Sequence, residues 1–144
     1  MTPEAKRMRA TVGHLGIEVS DMKKSKPFYE ALAKALCLNC IYESEGGMGW
    51  SNTEFSIWVT ASAKPRLKRD PPSGEEMVVA DHAAILVAGK ESVDAVDKTM
   101  RSQGFKALFP PEDHSKVFSP GYYSASYCDP DNYVVEIFWI PKKK

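Results

Sequence analysis

The sequence has no long apolar run, no excess of charge of either sign and few cysteines. No apolar stretch approaches the roughly 20 residues of a membrane span, and nineteen basic residues balance nineteen acidic ones. We therefore expect no membrane partner, and no global positive field that favours nucleic acid. Three cysteines, an odd number, do not indicate a secreted disulfide framework. No apolar signal-peptide core follows the N-terminal charges, so we expect a cytoplasmic protein.

The 144 residues suit a single domain, within which the order of predicted elements repeats. Alternating apolar residues predict a first strand over 11–19, and helical spacing predicts a helix over the next 17 residues or so. Three short strands follow. After a proline-rich connector, a strand, a helix and three strands occur again, so two units should pack together. The sequence thus predicts an α+β domain of two βαβββ modules, at about 10–61 and 77–140, joined by the connector 62–76. The further predicted strands are 41–43, 48–50, 55–60, 78–88, 105–109, 122–128 and 133–140, and the second helix is 91–103.

The first strand of each module carries a histidine in the same place. GHLGIEV contains His14 and DHAAILV contains His82, and both fit the pattern His-x-x-Ile-x-Val. Because side chains alternate along a strand, His14, Gly16 and Glu18 share one face while the apolar residues occupy the other. The repeated histidines therefore lie on the face away from the predicted core.

The segment CDPDNYVVEIFW predicts a hairpin of defined register. The residues from Asp129 to Asn132 have the chemistry of a type I turn followed by a left-handed residue. A three-residue loop would pair Asp129 with Tyr133 and place Ser126 opposite Glu136, with Tyr122 and Ser124 on the same face. A carboxylate in so apolar a strand requires a cation, a donor or water.

These features together resemble the vicinal oxygen chelate superfamily, which includes glyoxalases, fosfomycin-resistance proteins, extradiol dioxygenases and bleomycin-resistance proteins. The resemblance rests on the two histidine strands, on Asp21, Ser25 and Phe28-Tyr29, and on PGYYSASYCDPDNYVVEIFW. It covers roughly residues 10 to 140. It implies two modules whose sheets form an open barrel-like groove.

The resemblance also implies a metal centre and an activity. The ligands of a divalent ion (Zn, Ni, Mn, Fe or Mg) would be His14, His82 and Glu136, since the strand EFSIWVT offers no fourth ligand beyond Glu54 at its start. The ion would act as a Lewis acid on a small oxygen-bearing substrate, in a lyase, isomerase, thiol transferase or dioxygenase. Glu18 is a candidate general base, Tyr122 a candidate group for polarising the substrate, and a homodimer the expected assembly.

Several alternatives stay open. The protein could be a metal-free binding protein that sequesters a planar or drug-like ligand, with His14 and His82 as ordinary hydrogen-bonding residues. Glu136 could pair with an arginine or lysine, and Glu18 could be a solvated strand residue. His114 and Lys116 lie in a connector that could close over a substrate.

The pair Cys37 and Cys40 has the spacing of half a zinc site or a redox dithiol. No second such pair occurs in the sequence, and the pair follows a helix, whose negative end disfavours a thiolate. We therefore expect these cysteines to be packing residues.

Overall fold

The computed structural model describes residues 2–8, 10–64, 69–72 and 81–142. Within these ranges no helix is long and apolar enough to cross a membrane. The helices are α1 (Pro3–Met8), α2 (Met22–Ala35) and α3 (Lys90–Ser102). The strands are β1 (His14–Val19), β2 (Asn39–Ser44), β3 (Gly47–Ser51), β4 (Ser56–Ala61), β5 (His82–Leu86), β6 (Phe109–Asp113), β7 (Tyr123–Cys128) and β8 (Val134–Trp139).

The strands form two separate four-stranded sheets with the same topology. The first has the order β1-β4-β3-β2 and the second β5-β8-β7-β6. In each sheet the first strand of the module pairs in parallel with the last one. His14 and His82 each open that first strand, so the predicted duplication is confirmed. In the described part of the chain β1 and β5 are not hydrogen-bonded to each other, and the sheets do not close into a barrel.

One apolar core joins the two sheets and the two long helices. Ile17 and Val19 of β1 and Val135 and Ile137 of β8 are all buried in it. The neighbours of these residues along each strand point to the opposite face. The faces that carry His14 and Glu136 are therefore the ones that turn away from the core. The core residues of the helices include Phe28, Tyr29 and Leu32 of α2 and Val93, Val96 and Met100 of α3.

The ends of α2 show two capping devices. At the start, a carboxylate oxygen of Asp21 accepts from the backbone N–H of Lys23 (2.8 Å) and Lys24 (3.4 Å). At the end, Leu38 donates to the carbonyl of Ala33 and Cys37 to that of Lys34, which is a Schellman motif. Cys37 has φ +57°, the left-handed conformation that usually requires glycine. Cys37 and Cys40 are both exposed, so the expectation that they pack in the core is wrong.

The turn at Asp129–Asn132 connects β7 to β8 and also joins the two modules. Asn132 has φ +66°, and Ser126 lies opposite Glu136, which confirms the predicted register. The hydroxyl of Tyr29 in α2 donates to a carboxylate oxygen of Asp129 (2.5 Å). Ser20, at the end of β1, donates through its hydroxyl to Asp131 (2.5 Å). Residues of the turn between β7 and β8 thus make hydrogen bonds from the second sheet to the first module.

One predicted strand is misplaced. The prediction puts a strand over 105–109, whereas β6 begins at Phe109 and contains Pro110 and Pro111. Proline is tolerated here because β6 is an edge strand that pairs only with β7, a position that the sequence alone does not reveal. Residues 65–68 and 73–80, with parts of the predicted connector and of the strand at 78–88, lie outside the described residues.

Candidate functional site

The outward face of the second sheet brings together three of the predicted residues. Glu136 is only 5% exposed, and one of its oxygens, Oε1, accepts from the hydroxyl of Tyr122 (3.0 Å). The same oxygen lies 3.6 Å from Nε2 of His82, whose side chain is 19% exposed. The buried carboxylate that the sequence left without a partner therefore has a donor and a neighbouring imidazole.

Aromatic rings and backbone hydrogen bonds hold Tyr122 in place. Its ring stacks on Phe138 with the centroids 5.4 Å apart, and Phe118 lies 4.9 Å away on the loop before it. Its carbonyl accepts from the N–H of His114 (2.7 Å). Burial, followed by the nearby Glu136 carboxylate, raises the pKa of the Tyr122 hydroxyl. Because the ordinary pKa of tyrosine is already about 10, this hydroxyl is a hydrogen-bond donor at neutral pH with or without the shift.

His114 lies on the loop before β7, beside Phe118. Its residue is half-buried, its ring centroid lies 6.4 Å from that of Phe118, and its Nε2 is buried without a hydrogen-bond partner in the described part of the chain. Lys116, two residues later, is exposed. The loop from His114 to Tyr122 thus contributes rings to the wall of the site, while its lysine points to solvent.

His14 and Glu18 lie on the outward face of the first sheet. His14 is exposed, and Glu18 is half-buried beside Thr60, its register partner on β4. Among the described residues, no group of three or more histidine, cysteine or acidic side chains is placed to hold a metal ion. One copy of the chain therefore brings His82 and Glu136 together but does not bring His14 to them.

The pair His82 and Glu136 fits a divalent cation as two of its ligands. Two atoms that each lie 2.0–2.2 Å from one ion can be at most ~4.4 Å apart, and the observed separation is 3.6 Å. An imidazole and a carboxylate are also the ligand types that first-row divalent metals accept. A third protein ligand has to come from outside this pair.

A cleft of about 500 Å³ separates β1 from β5. Its walls carry Val12 and Leu86, which are 64% and 60% exposed, and Glu54 lies at its rim. Glu54 is exposed in the loop before β4, and within the described residues it is not grouped with His82 and Glu136. Exposed apolar side chains beside two strand edges that have no hydrogen-bonded neighbour among the described residues are typical of a surface that another chain covers.

One feature of the first sheet is absent from the sequence-based predictions. On the outward face Trp58 lies between Gly16 of β1 and Gly49 of β3, its register partners. Tyr42 of β2 continues the row, with its ring 5.9 Å from that of Trp58. A glycine in the middle of β1 was the available signal, because a strand interior rarely benefits from one.

Comparisons with known proteins identify the fold. No family model matches the sequence. YqjT, an uncharacterized protein of Bacillus subtilis (strain 168), is 24% identical over 124 residues, which cover 86% of this chain and 94% of YqjT. Among solved structures, a glyoxalase/bleomycin resistance protein/dioxygenase from Alicyclobacillus acidocaldarius has a TM-score of 0.69 at 16% identity, covering 94% of this chain and 96% of the other.

Two further solved structures have a similar fold. A glyoxalase/bleomycin resistance protein from Albidiferax ferrireducens T118 has a TM-score of 0.64 at 18% identity, over 92% of this chain and all of the other. A glyoxalase/dioxygenase from Nostoc punctiforme has a TM-score of 0.63 at 17% identity, over 99% and 97%. The chain therefore has the fold of the glyoxalase/bleomycin resistance/dioxygenase proteins, as its histidine strands predict.

Proposed function

We propose that the protein is a metal-dependent enzyme of the vicinal oxygen chelate type whose site is completed by two copies of the chain. His82 and Glu136 of one copy and His14 of a second copy are the proposed ligands. The observation that carries this proposal is the placement of His82 and Glu136, 3.6 Å apart on a face turned away from the core. The exposed position of His14 leaves it available to another copy.

The side chains around the pair suit a small oxygen-bearing substrate. A divalent ion, when bound, would supply a Lewis acid that polarises a substrate oxygen. Tyr122, whose hydroxyl lies 3.0 Å from Glu136, would donate a hydrogen bond to the substrate or hold Glu136 in place. Phe118 and Phe138 would exclude water from one side of the site. Glu18 is the proposed general base, since it shares a face with His14.

The free edges of β1 and β5 support a homodimer. Within the part of the chain that the structure describes, these strands pair on one side, and the cleft between them exposes Val12 and Leu86. In a two-fold dimer, a contact of β1 with the second copy's β5 is made twice, so the interface closes. This arrangement would place His14 of one copy near His82 and Glu136 of the other.

Mixing two single variants tests the shared site. His14→Ala and His82→Ala should each fail to retain a divalent ion when purified alone, while Lys116→Ala, a control at an exposed residue of the loop before β7, should retain it. If the His14→Ala and His82→Ala chains are unfolded and refolded together, random pairing makes half of the dimers heterodimers. Each heterodimer has one intact site of its two, so about a quarter of all metal sites should bind metal again. No recovery in mixtures shown to contain heterodimers would contradict a shared site, and metal retained by His82→Ala would contradict the ligand set.

A second function is favoured by one observation. In a single copy Glu136 already accepts a hydrogen bond from Tyr122 and no three-ligand group forms among the described residues. The chain could therefore be a metal-free protein that sequesters a ligand. Elemental analysis of protein purified without added metal separates the two functions, because stoichiometric divalent metal supports the enzyme and its absence, with tight ligand binding, supports the binder.

A further inference from the structure

One arginine of the connector between the modules is held at three points by the second module. Nε of Arg69 donates to Oδ2 of Asp81 (2.8 Å). Its guanidinium lies over the ring of Tyr133, 4.6 Å from the centroid, which is within the range of a cation–π interaction. Its backbone carbonyl accepts from the side-chain amide of Asn132 (3.0 Å). The side chain of Arg69 is only 17% exposed, so it is packed into the surface of the second module.

Two of the residues that Arg69 contacts lie immediately before the strands of the candidate site. Asp81 precedes His82, the first residue of β5. Tyr133 precedes Val134, which is the first residue of β8 and the register partner of His82. Arg69 therefore ties together the beginnings of the two strands that carry the proposed ligands from one copy of the chain.

The backbone of Asp81 has an unusual conformation. Its φ is +49°, in the left-handed region that favours glycine. Aspartate enters this region more readily than most residues because its short side chain can hydrogen-bond to nearby groups, and here the group is the guanidinium of Arg69. The conformation of Asp81 sets the direction in which the chain enters β5, and with it the position of the His82 imidazole. That position matters, because Nε2 reaches diagonally across the strand pair to within 3.6 Å of Glu136, whose register partner is Ala84.

We infer that Arg69 is a positioning residue, which fixes the backbone conformation of Asp81 and thereby aims His82 into the candidate site. This inference rests on the proposed function, because it explains how two ligands from one copy are held ready for the ion. The competing role is structural, in which Arg69 only fastens the connector to the second module. The two roles can be told apart, since a glycine in place of Asp81 enters the left-handed region without a partner. It would substitute for Arg69 in the positioning role and not in the structural one.

Zn²⁺ binding by single and double variants tests the inference, with Arg101→Ala as the matched control. Arg101 also donates through Nε to an aspartate over 2.8 Å, but it does so on α3. Arg69→Ala should bind Zn²⁺ at least about tenfold more weakly than the unaltered protein, as is typical when residues that orient metal ligands are lost. Arg101→Ala should bind Zn²⁺ as the unaltered protein does. In the Asp81→Gly protein, adding Arg69→Ala should change the affinity by less than about twofold, because the glycine does not need the arginine.

A second measurement, made without metal, separates this inference from the proposed function. In NMR spectra of metal-free protein with ¹³C-labelled histidine, recorded at about pH 8 so that the imidazoles are neutral, Arg69→Ala should shift or broaden the ring signals of His82. Arg101→Ala should leave them unchanged. Unchanged His82 signals in Arg69→Ala would overturn the inference. So would an equal change when Arg69→Ala is added to Asp81→Gly, since Arg69 would then only fasten the connector. If the unaltered protein binds no Zn²⁺, the proposed function fails, and the His82 signals alone decide the role of Arg69.

Discussion

Removing the Tyr29 hydroxyl should loosen the contact between the two modules. Tyr29 and Asp129 are 1% and 3% exposed, and the hydroxyl of Tyr29 donates to Oδ2 of Asp129. The other oxygen, Oδ1, accepts from the backbone N–H groups of Asp131 and Tyr133 (2.8 Å each). In Tyr29→Phe the Oδ2 atom would lose this donor while still buried.

The expected cost follows from that geometry. A hydrogen bond to a charged group contributes about 1.5–3 kcal/mol, and a buried acceptor left without a partner incurs its full desolvation penalty. We expect Tyr29→Phe to lower the free energy of unfolding by about 2 kcal/mol. For a chain of this length the melting temperature should fall by roughly 4–8 °C. Urea unfolding, followed by both tryptophan fluorescence and circular dichroism, measures the change.

Tyr123→Phe is the matched control. The hydroxyl of Tyr123 donates to Asp94 over a similar distance, 2.6 Å, but this hydrogen bond lies at the surface. Its loss should cost less than about 0.5 kcal/mol. Equal losses in the two variants would refute the reasoning, because burial of Asp129 would then contribute nothing to the difference.

Three further predictions concern stability and reactivity. Cys37→Gly should raise the free energy of unfolding, measured by urea titration, by about 1 kcal/mol, because a non-glycine residue at φ +57° is strained. The control Cys37→Ala, which keeps the Cβ atom, should not stabilise the protein. Iodoacetamide should modify the exposed Cys37 and Cys40 of the native protein before Cys128, because Cys128 is half-buried and burial raises the pKa of its thiol. Mass spectrometry measures the order of labelling, and faster labelling of Cys128 would contradict this prediction. Burial raises the pKa of the Asp129 carboxyl, so the folded chain binds its proton more tightly than the unfolded chain does. Proton binding at Asp129 therefore stabilises the fold at low pH, and this stabilisation falls as pH rises above about 3.9. The free energy of unfolding, measured from pH 4 to 7, should therefore decline less with rising pH in Asp129→Asn than in the unaltered chain, and identical slopes would count against it.

Local chemistry was enough to predict the two modules and the hairpin formed by β7 and β8. The turn residues from Asp129 to Asn132 determine a loop length, and loop length determines which side chains share a face. That is why Ser126, Glu136 and Tyr122 could be placed from the sequence. The same alternation placed His14 and Glu18 on the outward face of β1.

The position of one module relative to the other could not be predicted in the same way. It depends on contacts between distant residues, such as Tyr29 with Asp129, and on the packing of α2 against α3. The prediction that His14 joins His82 and Glu136 required that arrangement. The strand error at 105–109 has a related cause, since the two prolines of β6 are acceptable only at an edge that the topology creates.

The outer edges of the two sheets restrict how copies of this chain can aggregate. Pro110 and Pro111 deprive β6 of two backbone donors, and β2 has an irregular register between Cys40 and Tyr42. Edges of this kind resist the strand addition by which partly unfolded chains grow into fibres. Among the described strands, the edges left for extension are then those of β1 and β5, which both border the same cleft. If two copies associate through that cleft as proposed, the pair is closed, and raising the protein concentration should favour a defined dimer over open-ended assembly.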